Sequence, residues 1–224
     1  MNTGNREHRV CAPPASAPLI RPFPAFPAML HDLYDYLYHD APTGGLPLKG
    51  TGIALGIALI ASHAWVWKNA AKVQAFLKSF PRTFIWGVIL MVLSLLWAEW
   101  LLANMDMGEF YDKRTYFMLI TAAGAIGMIV YVPEFLAVRS LGCLMLLASS
   151  PVLYAAFMQP QTSRLLLPIL AYIWIIIGMY FIGMPFLFRD SVNWLTAKPA
   201  RWNAAVFSGI GYGAVLLVAA LLWY

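Results

Sequence analysis

Six apolar runs of roughly 20 residues, separated by short polar segments, constrain this chain more than any other feature. They lie near residues 48–67, 84–103, 115–132, 137–157, 165–188 and 204–223. A helix rising 1.5 Å per residue needs ~20 residues to cross a hydrocarbon core of ~30 Å. Backbone groups in lipid must pair within their own segment, so such runs are predicted to be helices. Barrel strands would alternate in character over ~10 residues, and these runs do not. The expected fold is an all-α membrane protein. It is a six-transmembrane-helix bundle over 48–223, with an N-terminal Pro-rich arm and interfacial amphipathic helices.

Composition supports the same class. Hydrophobic residues make up 61% of the 224, and charged residues only 11%, against roughly 25% charged in soluble domains. A soluble globular domain, a disordered chain and a nucleic-acid-binding domain are excluded on that ground. The net charge is +5. Its basic residues sit between apolar runs, so the expected partners are the lipid bilayer and its anionic headgroups, not nucleic acid.

The connecting segments predict an orientation. Lys68, Lys72, Lys78, Arg82, Arg139, Arg189, Lys198 and Arg201 fall in the first, third and fifth connections. Lys49, Lys113, Arg114 and Arg164 fall on the other side. The positive-inside rule then puts the richer side in the cytoplasm and both termini outside, in a plasma or bacterial inner membrane. Between Lys68 and Phe80, Val73, Phe76, Leu77 and Phe80 share one side of a helix, with Lys68, Lys72 and Lys78 opposite. That pattern suits a helix lying in the interface, with Lys68, Lys72, Lys78 and Arg82 toward lipid headgroups.

Residues 1–27 contain Pro13, Pro14, Pro18, Pro22, Pro24 and Pro27, and are expected to be an extended or disordered arm, with Phe23 and Phe26 available to a docking surface. No signal-peptide h-region follows the polar start. Residues 28–40 read as an amphipathic interfacial helix, with Leu30, Leu33, Tyr34 and Leu37 on one side. Cys11 and Cys143 are too far apart in character to imply a disulfide.

Small residues let membrane helices approach closely. Gly52 and Gly56, Ala123 and Gly127, and Gly209 and Gly213 are such pairs, expected to pack the bundle or dock a partner. Pro151 inside the fourth run should kink it, with Ser149 and Ser150 near the freed carbonyls. A weak internal echo joins Phe76-Leu77, Pro81 and Phe84 to Trp194-Leu195, Pro199 and Trp202 at one constant offset. It is compatible with a duplicated hairpin or with chance.

Few residues are candidates for chemistry. Glu99, between Trp97 and Trp100, is the one charge well inside an apolar run, and an intramembrane ionisable group is a functional candidate by default. It also lies close to the interface, where a structural role is expected. Asp106, Glu109 and Asp112 recur every third residue and offer hard oxygen ligands for a divalent ion, or simply a solvated loop. His31, Asp35 and His39 share a helix face and have the side chains of a transition-metal site, or form the polar side of the helix. His63 is the one histidine within a run, and without a second it suits a helix interface better than a haem. Glu134, Arg139, Arg189 and Asp190 suggest salt bridges across the basic-side loops. Nucleophile-elbow, zinc-protease and phosphate-loop signatures are absent, and no cofactor is expected.

The leading expectation is a non-catalytic integral membrane protein, an accessory or scaffold subunit with membrane-protein partners. The alternatives are a small ion-coupled transporter using Glu99, and a membrane enzyme acting on a lipid-type substrate through the outer acids.

Overall fold

The computed structural model describes residues 28–39 and 44–224. The Pro-rich arm over 1–27 and residue 40 of the predicted amphipathic helix lie outside the described residues. Among the described residues the long elements are all helices: α1 (Ala28–Tyr38), α2 (Leu48–Lys68), α3 (Ala70–Ser79), α4 (Phe84–Asn104), α5 (Arg114–Tyr131), α6 (Leu136–Ala156), α7 (Leu166–Gly183), α8 (Phe186–Thr196) and α9 (Pro199–Leu222). Six of these, α2, α4, α5, α6, α7 and α9, belong to segments long and apolar enough to cross a membrane. The architecture is compatible with a multi-pass membrane protein.

The fifth apolar run is shorter than its expected 165–188. Its helix stops at Gly183, and Met184 leaves helical geometry at φ −130°, ψ 66°. Pro185 explains the break. It has no N–H to continue the helical ladder, and it pushes the residue before it out of the α region. Phe186–Phe188 therefore open α8 instead. The sixth run starts earlier than expected, at Pro199, because proline suits the first helical turn.

α2 packs antiparallel on α9, α6 antiparallel on α7, and α4 parallel to α6, while α5 rests mainly on α4. Close approach of glycine backbones sets these contacts. A Cβ on Gly56 would lie 3.1 Å from the Gly213 carbonyl oxygen, and one on Gly142 would lie 2.7 Å from that of Gly178. The Gly52/Gly56 and Gly209/Gly213 pairs thus face each other across α2 and α9. Gly52 meets Ala220 and Tyr224, and Gly209 meets the His63 ring.

Ser140 Oγ shares its one proton between the Gly87 carbonyl at 2.9 Å and the Leu136 carbonyl at 2.8 Å, tying α6 to α4. Buried hydroxyls in this bundle thus bond to backbone carbonyls, which removes the cost of leaving them unpaired. α6 runs continuously through the buried Pro151. Ser149 Oγ donates to Leu146, the residue before the carbonyl that Pro151 leaves free.

This packing gathers the ends of α2, α5 and α7 and the starts of α4, α6 and α9 at one end, with α3 and α8 beside them. That end carries Lys68, Lys72, Lys78 and Arg82, all exposed. α3 and α8 touch, and Leu77 contacts both apolar clusters that surround them, one around Phe80 and Phe188 and one around Val73 and Trp202. The sequence echo therefore marks two similar corners, each an amphipathic helix followed by proline and a long apolar helix. Phe76 departs from the expected apolar side of α3. It is 44% exposed and leans on Phe80 and Trp86. At the opposite end, Leu48, Val152, Ala156, Leu167, Ala171 and Leu216 join α2, α6, α7 and α9 in one core.

Candidate functional site

The polar and aromatic groups of most chemical interest collect at the end opposite the basic one, where α1 docks. α1 seats Tyr38, its most buried side chain, and turns Leu33 outward, so the docking seam is shifted from the expected Leu33-containing face. Tyr34 and Tyr38 stack at 5.2 Å, and both meet the Trp100 ring edge-on. Tyr38 also meets Tyr154 of α6. Trp97 Nε1 donates to Tyr38 Oη at 2.9 Å, and Trp100 Nε1 donates to the Leu30 carbonyl at 3.2 Å. The two tryptophans that flank Glu99 are thus hydrogen-bond donors holding α1 down. Burial raises the Tyr34 phenol above its usual value, with Tyr154, Asp35 and Asp106 adding to the shift and Arg114 opposing it. Burial also raises Tyr38, against the opposing hydrogen bond from Trp97.

Glu99 is half-buried near the end of α4. Its Oε1 is closed off from solvent and has no hydrogen-bond partner among the described residues. Arg114 does not reach it. That guanidinium instead caps the end of α4, with Nη1 donating to Ala103 at 2.9 Å and Nη2 to Met105 at 2.7 Å, while it lies 4.8 Å from the Tyr111 ring centre. Such a cation at a helix C-terminus satisfies orphan carbonyls and complements the helix dipole.

Asp106, Glu109 and Asp112 are exposed, and Asp106 accepts from the Gly108 N–H at 3.0 Å. Asp35 lies 3.5 Å from His39 and 4.0 Å from His31, along a solvent-facing side of α1. Among the described residues no three His, Cys, Asp or Glu side chains form a group that could hold a metal ion. His63 has Nδ1 at 2.8 Å from the Leu59 carbonyl and 3.4 Å from Ser62 Oγ, with its ring against Gly209. The Leu59 oxygen only accepts, so Nδ1 carries the proton and the imidazole works as a helix-interface group.

At the basic end the expected cross-loop salt bridges do not form. Arg189 Nε pairs with its neighbour Asp190 at 3.1 Å, both about half exposed, and among the described residues Glu134 and Arg139 are not paired. The reason is local: adjacent residues on α8 meet at no loop-closure cost. The capping role of Arg114, the Trp97–Tyr38 bond and the matching of Gly142 to Gly178 were absent from the sequence reading. Only the first had a signal, a lone arginine just beyond a long helix.

No family model, curated protein or solved structure matches this chain.

Proposed function

We propose that this chain is a non-catalytic integral membrane protein that acts as an accessory or scaffold subunit of a membrane assembly. The supporting observation is α5. This helix is long and apolar enough to span a membrane, yet none of its residues is buried within the chain. A Cβ added at Gly124 or Gly127 would meet nothing within 4 Å, and Ala123 is exposed. The glycines of α2, α6, α7 and α9 that carry packing are matched by backbone or side chains of the same chain. The Ala123/Gly127 face is not, and a small-residue face suits the close approach of another helix. Beside the contact of α5 with α4, a cleft of about 300 Å³ opens between α4, α5 and α6, lined by Leu95, Thr121 and Leu146. The occupant of that face is an apolar helix of a different subunit, and the described ends of the chain, Ala28 and Tyr224, lie on the side opposite its basic loops.

Native mass spectrometry after gentle extraction from the native membrane tests the reading. Stoichiometric extra chains, lost in Gly127→Leu while the helical content is kept, support it. A monomer or a homodimer without other chains refutes it.

A second reading rests on Glu99, whose Oε1 is closed off from solvent without a partner among the described residues. An ion-coupled carrier would lose flux in Glu99→Gln liposomes while assembling normally. Unchanged assembly and no flux in either protein would remove that reading.

A further inference from the structure

Two amphipathic helices meet at the basic end, and the seam between them is open. Leu77 of α3 and Phe188, Val192 and Leu195 of α8 wall a groove of about 660 Å³, with Trp194 on its rim. That size is typical of ligand sites, which run to ~300–1,000 Å³. Asp190 and Ser191 are the only polar side chains among its lining residues. Its floor is solid, because Phe188 and Val192 pack on Phe80, Ala137 and Val138.

The rim is cationic. Arg201 sits 4.3 Å from the Trp194 ring centre, and its Nη1 donates to the Trp194 carbonyl at 3.2 Å. Two contacts therefore fix this guanidinium beside the groove, and neither neutralises it. Among the described residues, Arg189 is the one cation of this end with a carboxylate partner. Lys78, next to Leu77, and Lys198, just before α9, are exposed and carry no ion pair among those residues. Arg201 also lies in the first turn of α9, where the helix dipole is positive. One turn member is unsatisfied: Trp202 is 4% exposed, and its Nε1 donor has no acceptor among the described residues. Trp202 packs with Leu77 and Leu195, which line the groove.

We propose that this groove binds an anionic phospholipid, with one acyl chain along Leu77, Phe188, Val192 and Trp194 and the phosphate at Arg201. The occupant follows from complementarity. An apolar channel ending at a fixed, uncompensated cation matches an apolar chain that ends in an anion. The groove also lies where the long apolar helices end, which is headgroup level if the bundle is in a bilayer. The proposal rests on the membrane-embedded part of the reading above and is independent of the subunit role.

The test uses the full chain, purified in detergent, stripped of lipid, and offered equal amounts of phosphatidylglycerol and phosphatidylcholine with identical acyl chains. Native mass spectrometry reads the lipid retained. The expected result is one phosphatidylglycerol per chain at about fivefold preference, the effect of roughly one surface cation. Arg201→Gln abolishes the preference, and Trp194→Ala, which removes an exposed groove wall and the ring under Arg201, lowers it. Lys113→Gln, at the opposite end, leaves it unchanged. Circular dichroism confirms that each variant keeps its helices. Equal retention of both lipids, retention of neither, or a preference that survives both Arg201→Gln and Trp194→Ala overturns the site. A chain that stays soluble without detergent overturns the membrane-embedded reading instead.

Discussion

Gly142→Ala is the sharpest test of how this bundle is held together. The added Cβ would sit 2.7 Å from the Gly178 carbonyl oxygen and 2.9 Å from Ile182 Cγ1, where ordinary contact begins at 3.4 Å. α6 and α7 must therefore part by ~0.7 Å along that line, because a helical carbonyl cannot rotate aside. Overpacking of a tight contact costs ~1–3 kcal/mol, and a backbone obstacle belongs in the upper part of that range. Alanine's better helix propensity returns up to ~1 kcal/mol. The net destabilisation is ~1–2 kcal/mol, or a melting temperature ~2–8 °C lower for a chain of this size. Gly127→Ala is the matched control. Nothing lies within 4 Å of its added Cβ, so the propensity gain alone remains and the melting temperature is unchanged or slightly raised. Thermal circular dichroism of both variants in one detergent reads the difference. Equal melting temperatures, or a Gly142→Ala protein as stable as its parent, would refute the claim that glycine contacts set the α6–α7 separation.

Three further outcomes are expected. Gly209→Ala displaces the His63 ring and breaks its bond to Leu59, costing ~1–3 kcal/mol. His63→Ala in the same chain should recover part of that loss, and additive melting shifts in a double-mutant cycle would count against the contact. Arg114→Met removes two charge-assisted bonds from the end of α4 and speeds amide exchange in its last turn tenfold or more. Arg114→Lys restores less than half, since one ammonium cannot fork across two carbonyls, and full rescue by lysine would contradict the geometry. The raised Tyr34 and Tyr38 phenols favour the protonated form in the fold. Their contribution is therefore complete below their ordinary pKa, near 10, and is lost as the pH climbs through the higher folded values. Phenolate absorbance should show at least two tyrosines ionising late, and Tyr38→Phe should remove one of them.

Hydrophobic run length carries most of what is legible without coordinates. Backbone polar groups in lipid leave helix as the only option, so the six long helices and their starts near Leu48, Phe84, Leu136 and Leu166 follow from apolar spacing alone. The amphipathic character of α1 and α3 follows equally from periodicity. The break after Gly183 was available in principle, because Pro185 cannot extend a helix, but apolar residues on both sides masked it. The candidate site was legible only as separate residues. Glu99, the tryptophans beside it and the tyrosines of α1 were each visible, whereas the bonds that join Trp97 to Tyr38 and Trp100 to Leu30 span about 60 and 70 residues of chain.

The helical class, the number of long apolar segments and the concentration of cations in alternate connections are readable from the chain alone, because each depends on interactions within a segment or on local composition. Which small-residue faces meet depends on how the helices pack. Gly56 opposes Gly213, Gly52 meets Ala220 and Tyr224, Gly209 meets the His63 ring, Gly142 opposes Gly178, and Gly127 meets nothing among the described residues. A glycine reads the same in all three settings. What distinguishes them is whether another backbone arrives within contact distance, and that is set by the packing of the whole bundle. The same holds for the groove between α3 and α8, whose walls lie more than 100 residues apart in the chain and become one surface only where Leu77 meets the apolar side of α8.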